Sequence, residues 1–242
     1  MRLITRKSDL KPILNVACEK FTQAGLDLML PYIDDEILSH KVKFPLLEWC
    51  ASEFHQYIPQ STQLDFCDRI HQLNREGGNV ILGKMLQIRS AKNLPESLDK
   101  AAEYISQADI WYVADIIGER VFGHTLLHQF HNTFTTIRAM SLSANHWLIR
   151  GFGAGSHYSI KKGLPKDDVE TLFSWLLLQA HSSNKEIRQG IGWAAKTTAK
   201  FHPEIIKTFH QEIHKKHKIA QWFRTKIKIG LERHAHAQRN PG

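Results

Sequence analysis

The sequence predicts an all-α protein, a HEAT-like helical-repeat solenoid of about twelve helices, curved with a basic concave face. Three observations carry that expectation. Apolar residues recur with the 3.6-residue period of helices nearly throughout, and only Asn79–Leu82 reads as a strand. Leu94-Pro95, Leu164-Pro165 and His202-Pro203 each precede an acidic residue and a fresh amphipathic run, marking off helix pairs of about 35–45 residues. Charge is one-sided: 32 Lys and Arg against 24 Asp and Glu give +8 with histidines neutral, and the sequence pI is about 9.4. That balance suits an anionic partner, nucleic acid before an anionic membrane surface.

The elements run in order. Residues 11–30 open at a tolerated proline, Pro12, and stop at Pro31. Residues 34–58 are helical with a kink at Pro45. Residues 61–75 end at Glu76-Gly77-Gly78, and 79–90 carry Lys84 and Arg89 on their polar side. Helices over 95–107, 109–122, 124–141, 143–161, 166–182, 184–201, 203–217 and 219–232 complete the chain, and the tail HAHAQRNPG is expected to fray. No low-complexity linker intervenes, so residues 1–242 read as one domain whose first ninety or so residues are the least regular. Cys18, Cys50 and Cys67 stand apart with no CxxC, which argues against a disulfide framework or zinc ribbon and fits a reducing compartment. The longest apolar runs, such as Trp175–Leu178, are too short to span a bilayer, and MRLITRKSDL lacks an apolar secretory core. A monomer in the cytoplasm, or in the nucleus of a eukaryote, is expected, with no membrane partner.

Three helices carry residues that do not read as core. In Ser106–Gly123 the apolar stripe is Ile110, Val113, Ala114, Ile117 and Val121, with Ser106 and Asp109 as a capping-box start and Gly123 as the stop. Trp111, Asp115 and Phe122 form a second stripe at its border. A carboxylate between aromatic rings is costly to bury unpaired, so Asp115 is either paired at a helix seam or a catalytic acid in an aromatic cleft. In Asn145–Lys161, Trp147, Arg150 and Gly151 share a face: the arginine and the indole form a cation–π pair or a phosphate clamp. Gly151, Gly153 and Gly155 imply close approach of another backbone or a loosened helix.

In Asn184–Phe201 the core stripe is Ile187, Ile191, Ala194, Ala195 and Thr198, leaving Trp193 with Gln189, Lys196, Thr197 and Lys200. That indole either packs beneath lysine stems or meets a nucleotide in a charged groove. Basic residues then thicken toward the C-terminus, among them Lys207, Lys215, Lys216, Lys218, Arg224, Lys226, Lys228 and Arg233, and with Lys196 and Lys200 they form a track for a phosphate backbone or a solvated face. Two histidine triplets, His124/His128/His131 and His210/His214/His217, have helical spacing, but neither has an acidic companion, and both read as solvent-facing or seam residues without a metal. HExxH, GxGxxG, P-loop and GxSxG patterns are absent from the sequence.

Trp111-x-x-x-Asp115, Trp147-x-x-Arg150 and Ile187-Arg188-x-x-Ile191-Gly192-Trp193 occur in this order on successive helices. Together they resemble the AlkD-like DNA alkylation repair family, HEAT-like-repeat glycosylases acting on alkylated purines, and the likeness covers roughly Pro95 to Glu232, including FHPEIIKTF and WFRTKIKIGLER. The resemblance implies that Asp115 is the catalytic carboxylate, Trp111 and Trp193 the cleft walls, and Arg150 the arginine that grips DNA. Trp147, Arg188, Lys196, Lys200, Arg224, Lys226 and Lys228 are the further candidate DNA contacts. It departs from the family where Ile149-Arg150-Gly151-Phe152-Gly153 replaces an arginine pair or Arg-Ala-Ala run. The expected activity is hydrolysis of the N-glycosidic bond of N3- or N7-alkylated purines in duplex DNA. No cofactor and no metal is expected, and no lysine is placed as a Schiff-base nucleophile. A non-catalytic binder of damaged or branched DNA and a protein-binding adaptor are the alternatives.

Overall fold

A computed structural model describes residues 2–143 and 145–239. The chain folds as an all-α, helical-repeat protein that divides into two compact units, one ending at Asn93 and the other beginning at Leu94.

The first unit runs β1 (Leu3–Ile4), α1 (Lys7–Ala24), α2 (Leu26–Ile33), a π-helical turn (Asp34–Leu38), β2 (Lys41–Val42), α3 (Phe44–Tyr57), α4 (Gln63–Gln72) and α5 (Glu76–Arg89). Several sequence expectations change here. The break expected at Pro31 falls instead at Gly25, whose φ of 65° only glycine adopts cheaply, and Pro31 lies inside α2. Pro12 lies inside α1, which already opens at Lys7. Pro45 does not kink a helix; it sits in the first turn of α3, where its missing N–H has no partner to lose. Asn79–Leu82 is helical, because Glu76 starts α5 and Gly77-Gly78 fall within its first turn. The strands that do form are a two-residue parallel pair, Leu3 opposite Lys41 and Ile4 opposite Val42, too short to leave a period-two signal. Phe54 and Phe66, 5.5 Å apart, are fully buried in this core with Ile4, Leu10, Met29 and Ile33. All three cysteines are free thiols, and burial pushes that of Cys50 up to about 12.

The second unit holds α6 (Leu94–Ala108), α7 (Trp111–Ile117), a π-helical turn (Gly118–Gly123), α8 (His124–His128), α9 (Phe130–Met140), a 3₁₀ turn (Ser141–Ser143), α10 (His146–Lys161), α11 (Lys166–Gln179), α12 (Lys185–Phe201), α13 (Pro203–Thr208), α14 (His210–Ile213) and α15 (Gln221–Arg239). Ser106 does not open the pivotal helix. It belongs to α6, and the chain breaks at Asp109, which takes a left-handed φ of 46° before Ile110 leads into α7. Nor does Gly123 close it, since the π turn runs on into α8. The expected tail is helical through Arg239; residues 240–242 lie outside the described residues.

Packing in this unit is organised around α10, which lies against α7 and its π turn and also against α12; α12 in turn packs on α15. Glycines permit these crossings. A Cβ on Gly118 would stand 2.4 Å from the Gly151 carbonyl oxygen, one on Gly153 2.2 Å from the Gly190 carbonyl carbon, and one on Gly230 2.3 Å from the Lys196 carbonyl oxygen. Of the two readings of the α10 glycines, the structure shows close backbone approach. Asn145 caps α10 through Leu148 N–H, and Asn184 caps α12 through the N–H groups of Glu186 and Ile187. Among the described residues no helix is long and apolar enough to cross a membrane.

Candidate active site

Asp115 points from α7 toward Arg150 of α10. The guanidinium grips it with a two-pronged fork, Nε donating to Oδ1 at 2.8 Å and Nη2 to Oδ2 at 2.6 Å. The third donor, Nη1, reaches Glu186 in the first turn of α12. One arginine thus joins three helices, and the α10 crossings at Gly118/Gly151 and Gly153/Gly190 bring those helices within reach of its side chain. Burial alone would lower the Arg150 guanidinium, but the hydrogen bonds and charge of Asp115, then of Glu186, outweigh it and hold the group above its ordinary value. Asp115 is thus paired at a helix seam, and its carboxylate also lines a cleft.

A cleft of about 350 Å³ opens over this cluster, lined by Trp111, Asp115, Arg150, Lys185, Glu186, Gln189 and Trp193. Trp111 is 54% exposed, and the Arg150 guanidinium carbon lies 5.7 Å from its ring centroid. Trp193 is half-buried, its ring 5.7 Å from that of His157. The His157 Nδ1 pairs with Thr197 Oγ1 at 2.6 Å, and burial, reinforced by Lys161 and Lys196, pushes the imidazole down to about 4, so it stays neutral behind the indole. Size alone does not select this cleft. A larger hollow of about 630 Å³ in the first unit is lined by Cys18, Glu19, Thr22, Glu53 and Tyr57 among others, with no basic lining residue to meet an anion.

The remaining candidates divide. Phe122 leaves the stripe expected for it: the π turn adds a residue and rotates the positions beyond it by about 100°, burying Phe122 against Phe152, centroids 4.7 Å apart. Trp147 is not the ring beside Arg150. Its indole N–H donates to Asp109 Oδ1 at 2.6 Å and ties down the left-handed break ahead of α7. Arg150, expected on a phosphate, is buried with three donors committed to carboxylates. Arg224 is committed too, Nη1 to the Ile219 carbonyl and Nη2 to Gln221 Oε1 at 2.8 Å, so it caps the entry to α15. Arg188 is exposed over Trp222, 5.9 Å from its centroid, and Lys200 stands 4.9 Å over Phe201. Lys196 and Lys226 gather with Arg233 where α12 meets α15; burial, then the charges of Arg233 and Lys226, lowers the Lys196 ammonium. The Lys228 side chain is 79% exposed, 3.9 Å from Glu232.

Sequence reasoning missed two residues. Glu186 lies at i, i+3, i+7 with Gln189 and Trp193, so its place on the cleft face was readable from spacing. Lys185, which is not among the expected site residues, also lines the cleft. Both histidine triplets are interrupted. Gln129, at φ −143°, separates His131 from the His124–His128 pair, and His217 lies beyond the end of α14.

A family described as DNA alkylation repair enzyme matches residues 27–227, beginning well before residue 95, where the motifs become legible. No curated protein and no solved structure gives a significant match.

Proposed function

We propose that this chain, which belongs to the DNA alkylation repair enzyme family, is a monofunctional glycosylase that removes N3- or N7-alkylated purines from duplex DNA. The observation that supports this reading is the buried Asp115 carboxylate, fixed by the Arg150 fork at the base of a cleft walled by Trp111 and Trp193. Alkylation at N3 or N7 makes the purine cationic, so it departs as a neutral base and needs no general acid. The C1′–N9 bond breaks with its electron pair going to the base. The sugar passes through an oxocarbenium-like state, water adds its oxygen to C1′, and its proton goes to solvent. A carboxylate stabilises that cationic sugar and orients the water. The electron-rich indole faces favour a cationic nucleotide beside it.

Arg150 acts here on Asp115, holding both oxygens in place, in the role of a positioning residue. Phosphate contacts fall instead to the exposed or half-exposed cations, Lys185, Arg188, Lys196, Lys200, Lys226 and Lys228. Lys185 is exposed at the cleft, whereas a Schiff-base lysine requires a desolvated site that sheds its proton.

The test is release of free base from duplex DNA containing 7-methylguanine, wild type beside Asp115→Asn. The expected result is release that falls at least a hundredfold in the variant; an unchanged rate refutes the assignment. One observation favours a second reading, a non-catalytic binder of damaged DNA: Arg150 neutralises much of the Asp115 charge. Salt-dependent DNA binding without base release by the wild type establishes that reading instead.

A further inference from the structure

The Arg150 fork poses an electrostatic difficulty for a carboxylate that must stabilise a cation. With both oxygens of Asp115 2.6–2.8 Å from the guanidinium nitrogens, the two charges form a close dipole whose field at the cleft is largely cancelled. Glu186 changes that balance. Its Oε2 accepts from Arg150 Nη1, while its Oε1 has no hydrogen-bond partner among the described residues. Two carboxylates share one guanidinium, so the cluster keeps one uncompensated negative charge at the base of the cleft. Lys185 lines the same cleft, but it is exposed and forms no ion pair with Glu186 among the described residues.

We propose that Glu186 is a second catalytic carboxylate of this site, supplying the net negative charge that the oxocarbenium-like sugar meets while Asp115, locked in the fork, supplies fixed geometry. The inference rests on the glycosylase reading and goes beyond it by assigning the charge to a residue outside the recognised motifs. A purely structural role for Glu186 competes with it. Glu186 lies in the first turn of α12, where a negative charge favours the helix dipole, and it steadies Arg150. The two accounts make opposite demands on substitution. Gln keeps the length and the acceptor for Nη1 but removes the charge; Asp keeps the charge but withdraws it by one methylene.

The experiment measures single-turnover base release from 7-methylguanine duplex DNA, together with binding to a duplex carrying an uncleavable abasic analogue, for wild type, Glu186→Gln and Glu186→Asp. The inference expects Glu186→Gln to lose at least tenfold in rate while binding is unchanged or tighter, because a negative charge has left a site that faces phosphates. It expects Glu186→Asp to be the faster of the two variants. A Glu186→Gln rate within twofold of wild type overturns the inference, as does a Glu186→Gln variant faster than Glu186→Asp, which is the structural order. Release that depends on Asp115 but not on Glu186 removes this inference alone. Absence of release by the wild type removes the glycosylase reading and this inference with it.

Discussion

Replacing Gly190 by alanine sets helix propensity against packing, and the structure decides the sign. In an exposed helix the exchange is worth about 1 kcal/mol in favour of alanine. At Gly190 the new Cβ would lie 2.4 Å from the Arg150 carbonyl oxygen and 2.8 Å from its Cα. That is about 1 Å short of an ordinary carbon contact. Both neighbours are helix backbone, so neither swings away, and α10 and α12 must separate. Overpacking of this kind costs about 1–3 kcal/mol, and rigid atoms on both sides put it at the upper end. The net expectation is a loss of about 1–2 kcal/mol, which for a chain of this size lowers Tm by about 2–8 °C. Gly192 supplies the control on the same helix. Its Cβ would meet only the methylenes of Lys226, at 3.1–3.4 Å, and that side chain can move. Gly192→Ala is therefore expected to leave Tm unchanged or raise it by about 2–4 °C. Differential scanning calorimetry on the two variants checks the pair. A Gly190→Ala midpoint equal to or above wild type would refute the argument that backbone contact, and not propensity, fixes this glycine.

Two further predictions concern titration and charge. The His157 imidazole is pushed down to about 4 from an unfolded value near 6.5, so below pH 6.5 the unfolded chain binds a proton that the folded one refuses. Stability is thus expected to fall by on the order of 2 kcal/mol between pH 6.5 and 4, after allowance for the ring's partial exposure; His157→Asn should flatten that part of the Tm–pH curve, and an equally steep variant curve would count against it. Lys226 and Arg224 are two residues apart but should behave differently in DNA binding. Lys226→Ala is expected to reduce the slope of log Kd against log salt by about 1 for each phosphate that the lysine neutralises. Arg224→Ala should leave that slope unchanged and lower Tm instead, because its donors hold Ile219 and Gln221; fluorescence anisotropy across a salt series separates the two.

The helical fold and the cleft were legible in the sequence for identifiable reasons. Ile187, Ile191, Ala194, Ala195 and Thr198 keep an unbroken 3.6-residue period along α12, so the stripe they form is the one they bury. The same arithmetic leaves Trp193 over for the cleft. It fails beyond Ile117, where a π turn changes the helical period, and Phe122 consequently enters the core. It fails again at Asp109, where a non-glycine residue adopts a left-handed conformation stabilised by a distant indole, Trp147, that no local pattern announces. Arg150 could be picked out by its motif, but not its direction, since that depends on which acids the crossing helices bring to it.

The glycines and the charged cluster are two aspects of one arrangement. A guanidinium presents donors on opposite edges of a plane, and to engage acids on two different neighbours it must stand where both approach within a side chain's length. Gly155 and Gly153 provide that on α10: one faces Gly118 of the π turn that comes after Asp115, the other Gly190 of the helix that carries Glu186. Widening either crossing would lengthen one arm of the Arg150 bridge and leave a buried charge short of a partner, which costs far more than a surface pair. The small residues therefore bear on the site as well as on packing. A lysine at position 150, with a single point charge in place of a fork, would hold one carboxylate at the expense of the other.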